Sequence, residues 1–212
     1  MADVATTPPP ASTTPAAPVL TEAAPAAAAA TPANHVQQQQ QVLNRFLQVN
    51  NDVDNRFSTV ADGQGNWNVD TFTLPNMSAA QAYMERYGNL LQEAGYNLTN
   101  AAQWPDGTLD RFTTLNKFIT SAKQHGTASM DMIIDNVPGG ATPEMRAAVE
   151  QSKLAVENFH RPEYLPQAMQ VMAVGNHLHR NQRTLQAQLL AKQTEVEGRK
   201  TELEKTTGEL KR

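Results

Sequence analysis

Residues 189–210, LLAKQTEVEGRKTELEKTTGEL, decide the reading of this chain. Leu189, Val196, Leu203 and Leu210 fall seven apart among Glu, Lys and Arg. One apolar residue per heptad makes a stripe too narrow for the inward face of a globular helix. It marks a helix that needs another helix beside it. Beyond Pro162 and Pro166, which interrupt the chain, one long helix is expected to run to the C-terminus, about 70 Å if continuous from Pro166. Its first half, with Met169, Met172, Leu178 and Leu185, is expected to pack on other helices. Its second half carries Gly198 and Gly208 and reads as a weak zipper that frays unless joined by partners.

The body before it reads as helices of ordinary length. The first is expected from Asn34 to about Ala61, stopped by Gly63. With Val36 at heptad position a, Leu43, Asn50 and Phe57 follow at a, and Gln39, Phe46, Val53 and Val60 at d. An Asn at an a position costs stability and pairs best with another Asn, so Asn50 is a candidate register residue if this helix self-pairs. The other reading puts Asn50 at the wet edge of an ordinary bundle, and Val42, Leu47 and Val49 widen the apolar face in its favour. Trp67, Val69 and Thr71 alternate with polar neighbours, a strand-like signal. Ser78 and Gln81 form a capping box for a second helix whose stripe runs through Tyr83, Met84, Tyr87, Leu90 and Leu91 to Gly95. Thr108 caps a third helix that Gly126 ends, leaving Met130–Ile134 as either a further helical turn or a buried strand. Thr142-Pro143-Glu144 opens a fourth helix, with cap, proline and acid in order, and Met145, Ala148, Val149, Ser152, Val156 and Phe159 on its inner face.

The expected fold is therefore all-α. A disordered Ala/Pro/Thr-rich N-terminal arm spans 1–34, a small helical bundle spans 35–162, and a long C-terminal coiled-coil-type helix spans 163–212. The arm holds seven prolines, thirteen alanines and six threonines and no Lys, Arg or aromatic residue, so it lacks the side chains that would offset the cost of ordering it. It also lacks the charged start and Leu-rich middle of a secretory signal. With no apolar run long enough to span a membrane, a cytoplasmic, virion-associated or non-Sec-exported location is left open. Charge is uneven: twelve acids face six bases up to Asp135, while eight bases face five acids from Arg180 onward. This weak polarity favours head-to-tail association and does not demand nucleic acid.

Chemistry-bearing motifs are sparse. Asp62, Gln64, Asn66, Asn68 and Asp70 alternate as in a calcium loop, but Trp67 stands where the turn glycine belongs and no Glu closes the loop. His177 and His179 lie two apart on a helix and so point to different sides, which argues against zinc. The zero cysteine count removes thiolate sites and a Cys nucleophile. Gly63-Gln64-Gly65 and Gly139-Gly140 lack the ending of a phosphate loop, and no Ser sits in a nucleophile motif. No catalytic residue, metal or cofactor is expected, and the chain reads as a non-enzyme. Arg180 and Arg183, three apart on one face, could touch phosphate, although aromatics for base stacking are missing nearby.

The layout of low-charge arm, cysteine-free helical body and terminal coiled coil resembles that of viral capsid-associated proteins and of bacterial type III secretion filament or rod subunits. The likeness is one of composition and helix order and gives no residue a role. The expected function is that of a structural or assembly protein, a subunit of a larger particle or apparatus. Its partners would be copies of itself or other proteins, met through Leu189, Val196, Leu203 and Leu210, with Asn50 added if the first helix pairs. Two alternatives stand beside it: a nucleic-acid-associated accessory protein using Arg180 and Arg183, and a monomeric helical adaptor.

Overall fold

The computed structural model describes residues 32–58, 60 and 66–210, with side chains from His35 onward. It is all-α: α1 (Pro32–Phe57), α2 (Leu74–Glu93), α3 (Thr108–Asp135), α4 (Pro143–Glu157) and α5 (Leu165–Leu210). Of the arm expected over 1–34, only the backbone of 32–34 is described, and it already belongs to α1. Asp62, Gly63, Gln64 and Gly65 likewise lie outside the described residues. Where alternation suggested a strand, Val69–Thr71 forms one 3-10 turn. Asn68 caps it, its side chain accepting the Asp70 N–H. The local Asn bond offers the backbone an alternative to extended pairing.

Helix ends follow local chemistry, sometimes against the expectation. Helix α4 starts as expected, with the Thr142 hydroxyl accepting the Met145 N–H ahead of Pro143. Helix α2 begins four residues before Ser78. Thr73 is its cap, accepting the Asn76 N–H, and Pro75 sits in the first turn, where a missing N–H does no harm. Thr108 is the first residue of α3 rather than its cap; Gly107 takes that place at φ 75°. Gly126 does not end α3. The helix runs on to Asp135, and Met130–Ile134 is its last part. A glycine inside a helix costs about 1 kcal/mol against alanine. Here packing outweighs that cost, because a Cβ at Gly126 would meet Met172 Sδ at 2.8 Å and the Val156 methyls at 3.5–3.6 Å.

Helix α3 packs against each of the other four helices. At its middle Phe118 is fully buried, with the rings of Phe57, Trp67 and Phe72 around it at 5.4, 5.6 and 5.5 Å. Met77, Tyr87, Leu91, Leu115 and Val156 fill the same core. On α1 the core begins only at Phe46; Val36, Leu43 and Leu47 stay exposed on one side. On α4 burial is confined to the last turns, Ala155, Val156 and then Phe159, while Met145 and Ala148 of the expected inner face are exposed.

Helix α5 is unbroken over 46 residues, about 70 Å. Its root rests on α3 and α4 through Ala168, Val171, Met172, Gly175 and Asn176. Met169 and Leu185, expected in that packing, are exposed, and Leu178 is half-buried. Two glycines set how closely the helices approach. Besides the contact at Gly126, a Cβ at Gly175 would lie 2.9 Å from the Ser129 hydroxyl.

Candidate functional site

From residue 180 to residue 210 every side chain of α5 is exposed. Leu185, Leu189, Leu190, Val196, Leu203 and Leu210 are each 60–82 % open to solvent, the largest such concentration in the described chain. Successive helical residues turn by about 100°. On that count Leu178, Leu185, Leu189, Val196, Leu203 and Leu210 share one side of α5. That side is about a quarter turn from the one that rests on the body. The stripe thus includes all four residues that the heptad spacing singles out and extends them towards the root. Charges flank it within the helix: the Lys192 ammonium and the Arg199 guanidinium each reach Glu195, at 2.9 and 2.6 Å.

The root is tied down where the stripe begins. Arg180 Nε donates to Asp70 Oδ1 at 3.0 Å, and Arg183 stands 3.6 Å from the other oxygen. The Arg180 hydrogen bond, with the nearby Arg183 and His179, holds the Asp70 carboxyl below its ordinary range. One turn earlier Asn176 donates to the Phe72 carbonyl at 2.9 Å. The two arginines considered for phosphate therefore share a carboxylate of their own chain. Among the described residues, the Arg183 contact is the outermost ion pair between α5 and the body.

Asn50 lies inside the bundle, where its carboxamide oxygen accepts the Tyr87 hydroxyl at 2.7 Å. Burial pushes the Tyr87 phenol well above its ordinary range, which keeps it a donor. Helix pairing through Asn50 would require that bond to open, so Asn50 serves the join between α1 and α2 in this fold. Its burial rules out the wet edge.

Sequence reasoning passed over His125. It is half-buried between α3 and α5, with the Phe72 ring at 5.6 Å and the His179 ring at 5.7 Å. Burial, and then His179, lowers its pKa, and the neighbouring Asn176 carboxamide opposes the shift. Neither His125 Nε2 nor Asn176 Oδ1 completes a hydrogen bond of good geometry. His179 belonged to the HxH that argued against zinc, but only the fold brings it beside His125. Among the described residues, no group of three or more His, Asp or Glu could hold a metal ion, and no helix is long and apolar enough to cross a membrane. No family model matches the chain, and no curated protein or solved structure matches it.

Proposed function

We propose that this chain is a non-enzymatic assembly protein, a subunit that its protruding helix joins to a larger particle or apparatus. The observation that supports this is the unburied stripe of α5, from Leu185 to Leu210, on a helix that stands clear of its own core. Burying apolar surface gains about 25 cal/mol per Å², and a helix with nothing to bury against forgoes that gain. Gly198 and Gly208 each cost about 1 kcal/mol relative to alanine, so this half relies on a partner for its order. A filament, rod or capsid-associated lattice is the kind of apparatus this arrangement suits.

The test is the solution mass by light scattering on a sizing column. It compares the full chain, a form ending at Ala191, and a full-length variant with Leu189→Glu and Leu203→Glu. Residues 192–210 are exposed, so the truncation leaves the core of the described chain intact. A multimer that becomes a monomer in both altered forms supports the assembly reading. A monomer in all three forms overturns self-association and leaves the stripe to a different protein, as in a monomeric adaptor. Binding to nucleic acid that falls steeply with salt would favour the accessory reading instead. Against that reading stands the shared pairing of Arg180 and Arg183 with Asp70.

A further inference from the structure

We infer that the occupant of the α5 stripe is the same stripe of a second copy, lying parallel and in register. The inference rests on the assembly reading and adds the identity of the partner and the direction of the pairing.

Three observations converge on it. The first is layering. With Leu189, Val196, Leu203 and Leu210 at position a, position d is filled by Leu185, Lys192, Arg199 and Thr206. In a parallel pair each a residue meets its own copy, so every apolar layer is apolar from both sides. In an antiparallel pair a meets d. Leu189 would then face Thr206, Val196 would face Arg199, and Leu203 would face Lys192, so three of the four layers would mix apolar with polar and only Leu210 would meet an apolar residue, Leu185.

The second is charge. In parallel helices, residues flanking the seam meet at an offset of five. At that offset this helix places Glu195 against Lys200, opposite in sign. Lys192 and Arg199 are long enough to turn out of the d layers towards Glu195 while their methylenes cover the seam. Within one helix Glu195 already sits between Lys192 and Arg199, so the second copy's Lys200 extends an existing row.

The third is room. Parallel pairing puts both bodies at the same end, which is possible only if neither body stands between the two helices. The stripe lies about a quarter turn from the face that rests on α3 and α4, and from residue 180 outward every side chain is exposed, so the chain's own body does not cover it.

The chain has no cysteine, so single cysteines report orientation cleanly. Leu189→Cys, Leu203→Cys and, on the far side of the helix, Lys205→Cys are made in the full chain and oxidised mildly. Their masses are first checked under reducing conditions. A disulfide needs Cα atoms within about 7 Å. Parallel pairing meets this at 189 and at 203. Antiparallel pairing, with residue numbers adding to about 395, separates the two copies of residue 189 by about 25 Å and those of residue 203 by about 16 Å. The expected result is covalent dimer for Leu189→Cys and for Leu203→Cys, each at least about ten times faster than for Lys205→Cys. A mixture of Leu189→Cys with Thr206→Cys should give no mixed disulfide above the Lys205→Cys rate. Multimers that cross-link 189 to 206 and not 189 to 189 overturn the orientation and leave self-association standing. Monomeric mass for the unaltered chain overturns both.

Discussion

Residues 165–179 and 180–210 belong to one uninterrupted helix, yet the first part buries Ala168, Val171, Met172, Gly175 and Asn176 while the second is exposed throughout. The buried set recurs at three, four and seven residues, the broad face a globular helix presents to a core. From Leu189 outward the exposed stripe recurs every seven residues. The first includes Gly175, where α3 and α5 approach closely; single branched apolar residues among charges make up the second. Helix α5 therefore changes function along its length, from packing element to projecting arm, with no break in its backbone.

The contrast breaks most visibly at Met172. It is 1 % exposed, and its sulfur lies against the place where Gly126 lacks a side chain. Met172→Ala should cost about 3 kcal/mol in chemical denaturation. Leu203→Ala, at concentrations where the chain is monomeric, should fall within about 0.5 kcal/mol of the parent. Equal losses at the two positions would mean that the outer half packs on its own body after all.

Glycines sharpen the same comparison, with opposite signs. Gly175→Val drives a side chain into Ser129 and should cost about 2 kcal/mol by thermal or denaturant unfolding. At Gly198 a Cβ would meet nothing within 4 Å. There Gly198→Ala should raise helicity by circular dichroism and stabilise the helix by up to about 1 kcal/mol. A destabilising Gly198→Ala would reveal a close neighbour on the outer half.

The outer half was legible because its signal is periodic and local. Seven-residue spacing puts residues on one side of a helix, and the structure leaves those four exposed there. The start of α4 was legible for the same reason, since Thr142-Pro143-Glu144 acts within a single turn. Thr73 and Pro75 offer an equally local start for α2, which the Ser78–Gln81 capping box masks. What stayed hidden depends on residues far apart in sequence. Gly126 looked like a stop until Met172 and Val156 covered it. The bond from Asn176 to Phe72 spans 104 positions and the pair Arg180–Asp70 spans 110, with no pattern to announce either. Asn50 was placed by its period, and its true partner, Tyr87, sits 37 residues away on another helix.

His125 makes the root of α5 sensitive to acid. Its imidazole resists protonation in the fold, mainly through burial, while in the unfolded chain it takes up a proton near 6.5. As pH falls below that value the unfolded state binds protons first. Stability should therefore decline with falling pH, levelling off once the folded imidazole also protonates. With the ring only half-buried, the slope from this group should stay below about 1 kcal/mol per pH unit. Melting curves between pH 5 and 8, a window of about this width around the ordinary imidazole value, should show a smaller slope for His125→Gln than for the parent. An unchanged slope would assign the acid sensitivity to other groups.

The smallest expected effect lies at the boundary between the two halves. Asp70→Asn removes the carboxylate that Arg180 and Arg183 share, and because all three side chains are open to water its effect on melting should not exceed about 3 °C. Its effect on the helix should be local. Freed of that tie, α5 is held only as far out as Asn176 and His179, so amides around 177–184 should exchange faster while those of α3 keep their protection. Salt should imitate the substitution, since exposed charges are screened over about 8 Å at physiological ionic strength and over less at higher salt. The ion pair should also weaken at low pH, because a carboxyl held below its ordinary range contributes above that range and loses its effect as it protonates. If Asp70→Asn leaves exchange unchanged across 177–184, the boundary is set by the burial of Met172, Gly175 and Asn176 alone, and the arm begins one turn closer to the body.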